Sequence, residues 1–215
     1  YTTLFRSYYC FGCHKGGGAI NFVMEVEGLG FVDAVDVLAK RAGLQMPETA
    51  SGDGSTRKKR ERLLALNKEA ARWFHANLSK PGAADGVAYF QKRALSKRTI
   101  TRFGLGYAPE GWDNLIRAMA EKGYEKADLM EAGLAVKNSN GRIYDRFRHR
   151  VMFPIIDVRG NVIGFGGRVL DDSKPKYLNS PDTLVFNKSR NLFALNIAKK
   201  TKLGKIILTE GYMDT

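Results

Sequence analysis

Cys10 and Cys13, the only two cysteines of the chain, are spaced C-x-x-C. Two thiolates at that spacing suit one knuckle of a tetrahedral zinc site, a redox dithiol, or a pair of structural thiols. His14 is adjacent to Cys13 and is poorly placed to join the same knuckle. The phenylalanine between the cysteines and the glycines after them favour half a zinc site. Its other ligand pair is expected upstream, outside the chain.

Positive charge is the second chemical resource. Arg146, Arg148 and Arg150 alternate in "DRFRHR", and on a strand all three would project from one face. Such a ridge of guanidinium forks suits phosphate oxygens; a solvated strand face is the alternative. Close by, Gly164, Gly166 and Gly167 in "GFGGR" allow close approach to the backbone, with Arg168 beside them. Lys176, Tyr177 and Asn179 in "KYLNS" fall in a stretch that reads as irregular. Lysine offers charge for a triphosphate, tyrosine a ring for stacking, and asparagine a donor and an acceptor.

The third resource is acidic. "KIILTEGYMDT" reads as an apolar strand followed by Glu210, Gly211 and Asp214. Carboxylates just past a buried strand face the usual active-site crevice of an open α/β sheet. Glu210 could act as metal ligand or general base and Asp214 as metal ligand, with Mg2+ or Mn2+ as the cation. The alternative is an acidic first turn of a helix.

The elements that must hold these residues are mixed. Residues 1–46 read as short strands around the cysteine knuckle, then a helix with Phe31, Ala34, Val35, Leu38 and Ala42 on one face. Residues 47–60 are polar and read as a linker. An amphipathic helix is expected over 61–78, followed by short helices near 84–93, 96–103, 112–122 and 125–132. Hairpins are expected to turn at Asn140–Gly141 and at Gly160–Asn161, with a helix near 193–200. The 215 residues carry a net charge of +13, an excess that favours a polyanionic partner. No run is long and apolar enough to span a bilayer. Two cysteines are too few for a disulfide-stapled secreted domain.

Four stretches, in order, resemble one family, the bacterial replicative DNA primases. They are "YYCFGCHKGGGAINFVMEVEGLGFVDAVDVLAKRAGL", "YFQKRALSKRTITRFGLGYAPEGWDNL", "YDRFRHRVMFPIIDVRGNVIGFGGRVLDDSKPKYLNSPDTLVFNKSRNLFAL" and "LTEGYMDT". The resemblance implies a mixed α+β fold. Residues 1–46 would be the C-terminal part of a zinc-ribbon domain and 47–60 a linker. Residues 61–204 would be the N-terminal subdomain of an RNA polymerase domain. Residues 205–215 would be the first strand of an α/β TOPRIM subdomain, cut off there. It implies synthesis of short RNA primers from NTPs on single-stranded DNA, in the cytoplasm at the replication fork. A replicative helicase would be a partner through a C-terminal domain that the chain lacks. It also implies structural zinc on Cys10 and Cys13, catalytic Mg2+ or Mn2+ on Glu210 and Asp214, and Glu210 as the catalytic residue. Arg93, Arg146, Arg148, Arg168, Lys176, Tyr177, Asn179 and Lys188 would contact nucleotide or template. The chain alone is expected to bind single-stranded DNA without making primers. Two rivals stay open: another TOPRIM enzyme of nucleic acids, and a non-catalytic single-strand-binding zinc-ribbon module.

Overall fold

Short strands and helices alternate throughout, and each is explained by where its apolar residues fall. The computed structural model describes residues 6–27, 29–44 and 53–215. The chain divides into two units, Tyr1–Gly54 and Ser55–Thr215.

In the first unit, β1 (Ser7–Tyr9) and β2 (Gly16–Gly18) form an antiparallel pair in the register Ser7↔Gly18 and Tyr9↔Gly16. The cysteine knuckle connects them. It is closed by the Cys10 N–H donating to the Lys15 carbonyl and the His14 N–H to the Cys10 carbonyl, both at 2.8 Å. Helices α1 (Ala19–Glu27) and α2 (Phe31–Arg41) follow. Sequence reading placed short strands where α1 lies. Ile20, Val23, Met24 and Glu27 are its half-buried positions, a helical spacing hidden among β-branched and aromatic residues. A Lys15–Glu25 ion pair ties the knuckle to α1.

The second unit begins on α3 (Asp53–Asn77). Residues 53–60, expected as linker, are therefore helical, and residues 47–52 lie outside the described residues. The lysines, arginines and glutamates there are good helix formers. Lys59 pairs with Glu131 and Arg62 with Asp128, each at 2.7 Å, which fixes this half of the helix. Leu63, Leu66, Ala70 and Phe74 of α3 are fully buried. Then come α4 (Ala84–Lys92), α5 (Lys97–Phe103), β3 (Gly106–Ala108), α6 (Asn114–Ala120) and α7 (Lys126–Glu131). The expected hairpins are β4 (Ala135–Lys137) with β5 (Ile143–Asp145), and β6 (Arg150–Ile156) with β7 (Val162–Val169). Strand β8 (Tyr177–Asn179) and helix α8 (Leu195–Ala198) complete the unit.

The main sheet is antiparallel in the order β3-β6-β7-β8. Both faces of its central strands are covered. Met152 and Phe165 pack with α3, α6 and α7 through Phe74, Leu115, Met119 and Leu129. Val151 and Phe153 pack the other way with Phe90 and Leu105. Each large side chain buried there contributes about 1.5–3 kcal/mol.

Three expectations fail in this unit. Residues 146–149 are bends between β5 and β6, not a strand; His149 has φ +48, which breaks the extended course, and Phe147 turns into the core. "KYLNS" is not irregular, because Tyr177–Asn179 form edge strand β8 beside β7. Residues 205–209 form no ladder among the described residues. A strand exists only where a neighbour takes its N–H and C=O groups, and Ile207 and Leu208 remain 85% and 79% exposed.

Candidate nucleotide and nucleic-acid site

The site is built around β8 and the turn at residues 210–214. Gly166 on β7 has no side chain, and the ring of Tyr212 occupies that space; a Cβ there would lie 2.5 Å from Tyr212 Cε2. Tyr212 stacks on Phe153, with centroids 5.1 Å apart and planes at 11°, and meets Phe193 edge-on at 4.8 Å. Its hydroxyl donates to Asn179 Oδ1 at 2.8 Å. Burial pushes the Tyr212 hydroxyl up to about 12. It therefore stays a neutral donor at any physiological pH. The acidic turn is thereby pinned beside β8, and Thr215 Oγ1 closes it on the Gly211 carbonyl at 3.0 Å.

A groove of about 580 Å³ runs past this turn and brings together Tyr177, Asn179, Lys188, Glu210 and Asp214. Lys188 opens a single 3-10 turn whose first N–H is held by Asp182 Oδ1 at 2.8 Å. Lys176 is exposed at the entrance to β8. Its carbonyl accepts the Val169 N–H at 3.1 Å.

A second cluster flanks β8. Arg168 lies 4.7 Å from the Tyr89 ring centroid and 5.9 Å from that of Tyr177. Arg93 approaches Tyr89 at 5.7 Å. Tyr89 is thus bracketed by two guanidiniums, and burial raises its hydroxyl pKa. Arg168 Nε is buried with no partner among the described residues.

The three alternating arginines part company. Arg146 donates Nη2 and Nε to the Asn179 carbonyl at 3.0 and 3.3 Å, and desolvation lowers its pKa. Arg150 is buried and donates to main-chain carbonyls. Arg148, half-buried, donates Nη1 to the Asp145 carbonyl and lies against a partly open surface. It stacks on Trp112 at 4.5 Å and Tyr144 at 4.9 Å, with Arg142 5.5 Å from Trp112. Asp145 organises this corner. Its buried carboxylate accepts the Leu115 and Ile116 N–H groups at 2.7 and 3.0 Å, and its own N–H bonds the Trp112 carbonyl.

In the first unit Cys10 and Cys13 are free and exposed. The Cys13 backbone N–H, then its thiol, hold the Cys10 thiol below its usual range. Two such thiols fit half of a tetrahedral zinc shell. Among the described residues no three His, Cys, Asp or Glu side chains gather as a metal group. Glu210 and Asp214 supply hard oxygens in one turn, a donor set that fits Mg2+ or Mn2+ in part.

Sequence reasoning missed Tyr89, Trp112 and Tyr212. For Tyr212 a signal existed, an aromatic residue set between two carboxylates. For Tyr89 and Trp112 no spacing pointed to their arginines.

Solved structures define the class. The chain is similar to a solved structure of the DnaG primase catalytic domain bound to ssDNA, with TM-score 0.69 and 44% identity over 74% of this chain and 52% of that one. It is also similar to the zinc-binding and RNA polymerase domains of the Aquifex aeolicus primase, with TM-score 0.60 and 35% identity over 90% of this chain and 46% of that one. Residues 3–53 match the CHC2 zinc finger and residues 73–199 the DNA primase catalytic core, N-terminal domain. The chain belongs to the DNA primase catalytic-core family. Two curated relatives are the DNA primases of Clostridium acetobutylicum, 47% identical, and Escherichia coli K12, 44% identical, each matched over 96% of this chain. The chain spans about a third of the length of these relatives, 35% and 36%.

Proposed function

We propose that the protein of which this chain is part makes short RNA primers on single-stranded DNA, by nucleotidyl transfer from NTPs. The groove that sets Glu210 and Asp214 against Tyr177, Asn179 and Lys188 carries this reading. A triphosphate needs cationic and hydrogen-bonding partners next to the carboxylates that hold its metal. Lys176 and Lys188 would meet phosphates, Tyr177 would stack on a base or sugar, and Asn179 would offer its Nδ2. Glu210 and Asp214 would hold Mg2+ or Mn2+, which neutralises triphosphate charge and lowers the pKa of the attacking hydroxyl.

Template DNA would pass the Trp112–Tyr144–Arg148 corner, where rings and a guanidinium offer stacking and charge. Arg168 and Arg93, which bracket Tyr89 beside β8, would add positive charge for template or nucleotide. Arg146 has its guanidinium on the Asn179 carbonyl, so its part is to hold β8 rather than to meet phosphate. Zinc on Cys10 and Cys13, with ligands from elsewhere in the full-length protein, would order the first unit for start-site choice. A replicative helicase would bind elsewhere in the longer polypeptide. Action at the replication fork in the cytoplasm follows from the same reading. No helix among the described residues is long and apolar enough to cross a membrane.

The test is incorporation of labelled NTP on a single-stranded template by the full-length protein. Glu210→Gln keeps shape and removes charge and basicity, and is expected to abolish synthesis with DNA affinity intact. Robust synthesis by that variant would remove the acidic turn from the active site.

A further inference from the structure

Arg150 stands at the start of β6 and is only 7% exposed. A buried guanidinium is costly unless its donors are used. Here Nη1 is directed at the carbonyls of Gly167 at 3.2 Å, Pro175 at 3.0 Å and Lys176 at 3.5 Å. The first belongs to the neighbouring strand β7; the other two belong to the segment that leads into β8. The side chain thus crosses a whole strand to reach the next one. Gly167 makes that crossing possible. A Cβ at 167 would lie 3.1 Å from Arg150 Cδ and 2.9 Å from Phe147 Cδ1.

Strand β8 needs such support. It has three residues and, among the described residues, pairs only with β7, at Gly166↔Asn179, Gly167↔Leu178 and Arg168↔Tyr177. A ladder this short is weak on its own. Arg146 secures its far end through the Asn179 carbonyl. Arg150 secures the near end, where the Lys176 carbonyl also accepts the Val169 N–H. With the Pro175 and Lys176 carbonyls held, the direction in which Lys176 and Tyr177 leave the backbone is set.

We propose that Arg150, passing over Gly167, is a positioning residue that aligns Lys176 and Tyr177 for the incoming nucleotide. This rests on the nucleotide-site reading of β8 given above. Lysine cannot replace it fully, because an ammonium is more strongly hydrated than a guanidinium and costs more to bury at this position.

The test uses the full-length protein and separates KM for NTP from kcat and from affinity for single-stranded DNA. Arg150→Gln is expected to raise KM for NTP about tenfold or more, with DNA affinity within about twofold of the unaltered protein. Arg150→Lys falls between the two, and it replaces the glutamine variant if that one shows no cooperative unfolding. Because Arg150 acts in part through Lys176, adding Arg150→Gln to Lys176→Ala should worsen KM by a smaller factor than Arg150→Gln does alone. An Arg150 variant with unchanged KM, beside a Lys176→Ala variant with raised KM, overturns the positioning role. Equal loss of nucleotide and DNA binding overturns it too. Unchanged KM in Lys176→Ala itself would instead overturn the nucleotide-site reading.

Discussion

Gly166→Ala should cripple the site without removing a polar group. The added methyl would sit 2.5–2.8 Å from Cε2, Cζ and the hydroxyl of Tyr212, whereas ordinary contact begins at 3.4 Å. β7 lies between β6 and β8 and cannot yield, so the ring must withdraw by roughly 1 Å, a displacement that can cost on the order of 100-fold when it reaches reacting groups. Withdrawal stretches the 2.8 Å bond to Asn179 and separates the ring from Phe153 and Phe193. The hydrogen bond contributes about 1 kcal/mol and each aromatic pair about 0.5–1.5 kcal/mol. The loss of stability should therefore be about 2–4 kcal/mol, centred on the Glu210–Asp214 turn. In the full-length protein, primer synthesis should fall about 100-fold while affinity for single-stranded DNA stays within about twofold. Gly82→Ala serves as control, since nothing lies within 4 Å of its Cβ position. Primer synthesis by Gly166→Ala at the level of that control would refute the claim that Tyr212 sets the acidic turn.

Arg148→Ala should lower the slope of log K against log salt for single-stranded DNA by about 0.7, one phosphate contact. Arg146→Ala should change that slope less, because Arg146 spends both Nε and Nη2 on the Asn179 carbonyl whereas Arg148 spends only Nη1 on the Asp145 carbonyl; titrations at several salt concentrations decide, and an unchanged slope for Arg148→Ala speaks against the contact. Burial raises the Asp145 carboxyl from 3.8 to about 6, opposed by the Leu115 and Ile116 N–H groups. Its protonated form is thus favoured by folding, a contribution present below pH 3.8 and lost as pH rises through about 6. Asp145→Asn removes that dependence, so the variant should gain on the unaltered protein by up to about 3 kcal/mol between pH 4 and pH 8. Denaturant unfolding at both pH values measures this; a variant that loses ground as pH rises contradicts it.

Much of the scaffold was legible because local rules agreed with the final fold. Ser96 caps α5 by accepting the Thr99 N–H at 3.1 Å, and Gly104 ends it at φ +63. Gly141 and Gly160 turn their hairpins at positive φ, as the asparagine-glycine and glycine-asparagine pairs indicated. What failed depended on partners distant in sequence. The alternation in "DRFRHR" is a sound strand signal, yet Phe147 goes to the core and His149 reverses the chain. Arg146 and Arg150 find carbonyls 33 and 25 residues away, and nothing in spacing announces a carbonyl. The glycines of "GFGGR" signal a close approach to the backbone without saying by what. Two of them are room for the protein's own Tyr212 and Arg150, whose positions bear on the ligand only indirectly.

These indirect roles share a logic. A nucleotide site at a sheet edge gains access from solvent and loses rigidity, because an edge strand has one ladder neighbour. Strand β8 recovers rigidity by spending main-chain acceptors rather than side chains. The Pro175 and Lys176 carbonyls go to Arg150, and the Asn179 carbonyl goes to Arg146. Asn179 gives its Oδ1 to Tyr212, which leaves its Nδ2 as the amide donor free among the described residues. The Lys176 ammonium, the Tyr177 ring and that Nδ2 therefore stay available to a ligand, on a strand whose backbone is fixed at both ends. Guanidinium is the group for this task, since it remains charged when desolvated and carries several donors on one rigid plane. The basic surplus of the sequence is thus divided between Arg148, which lies against Trp112 and Tyr144 and would meet a polyanion there, and Arg146 and Arg150, which hold the strand that would read the nucleotide.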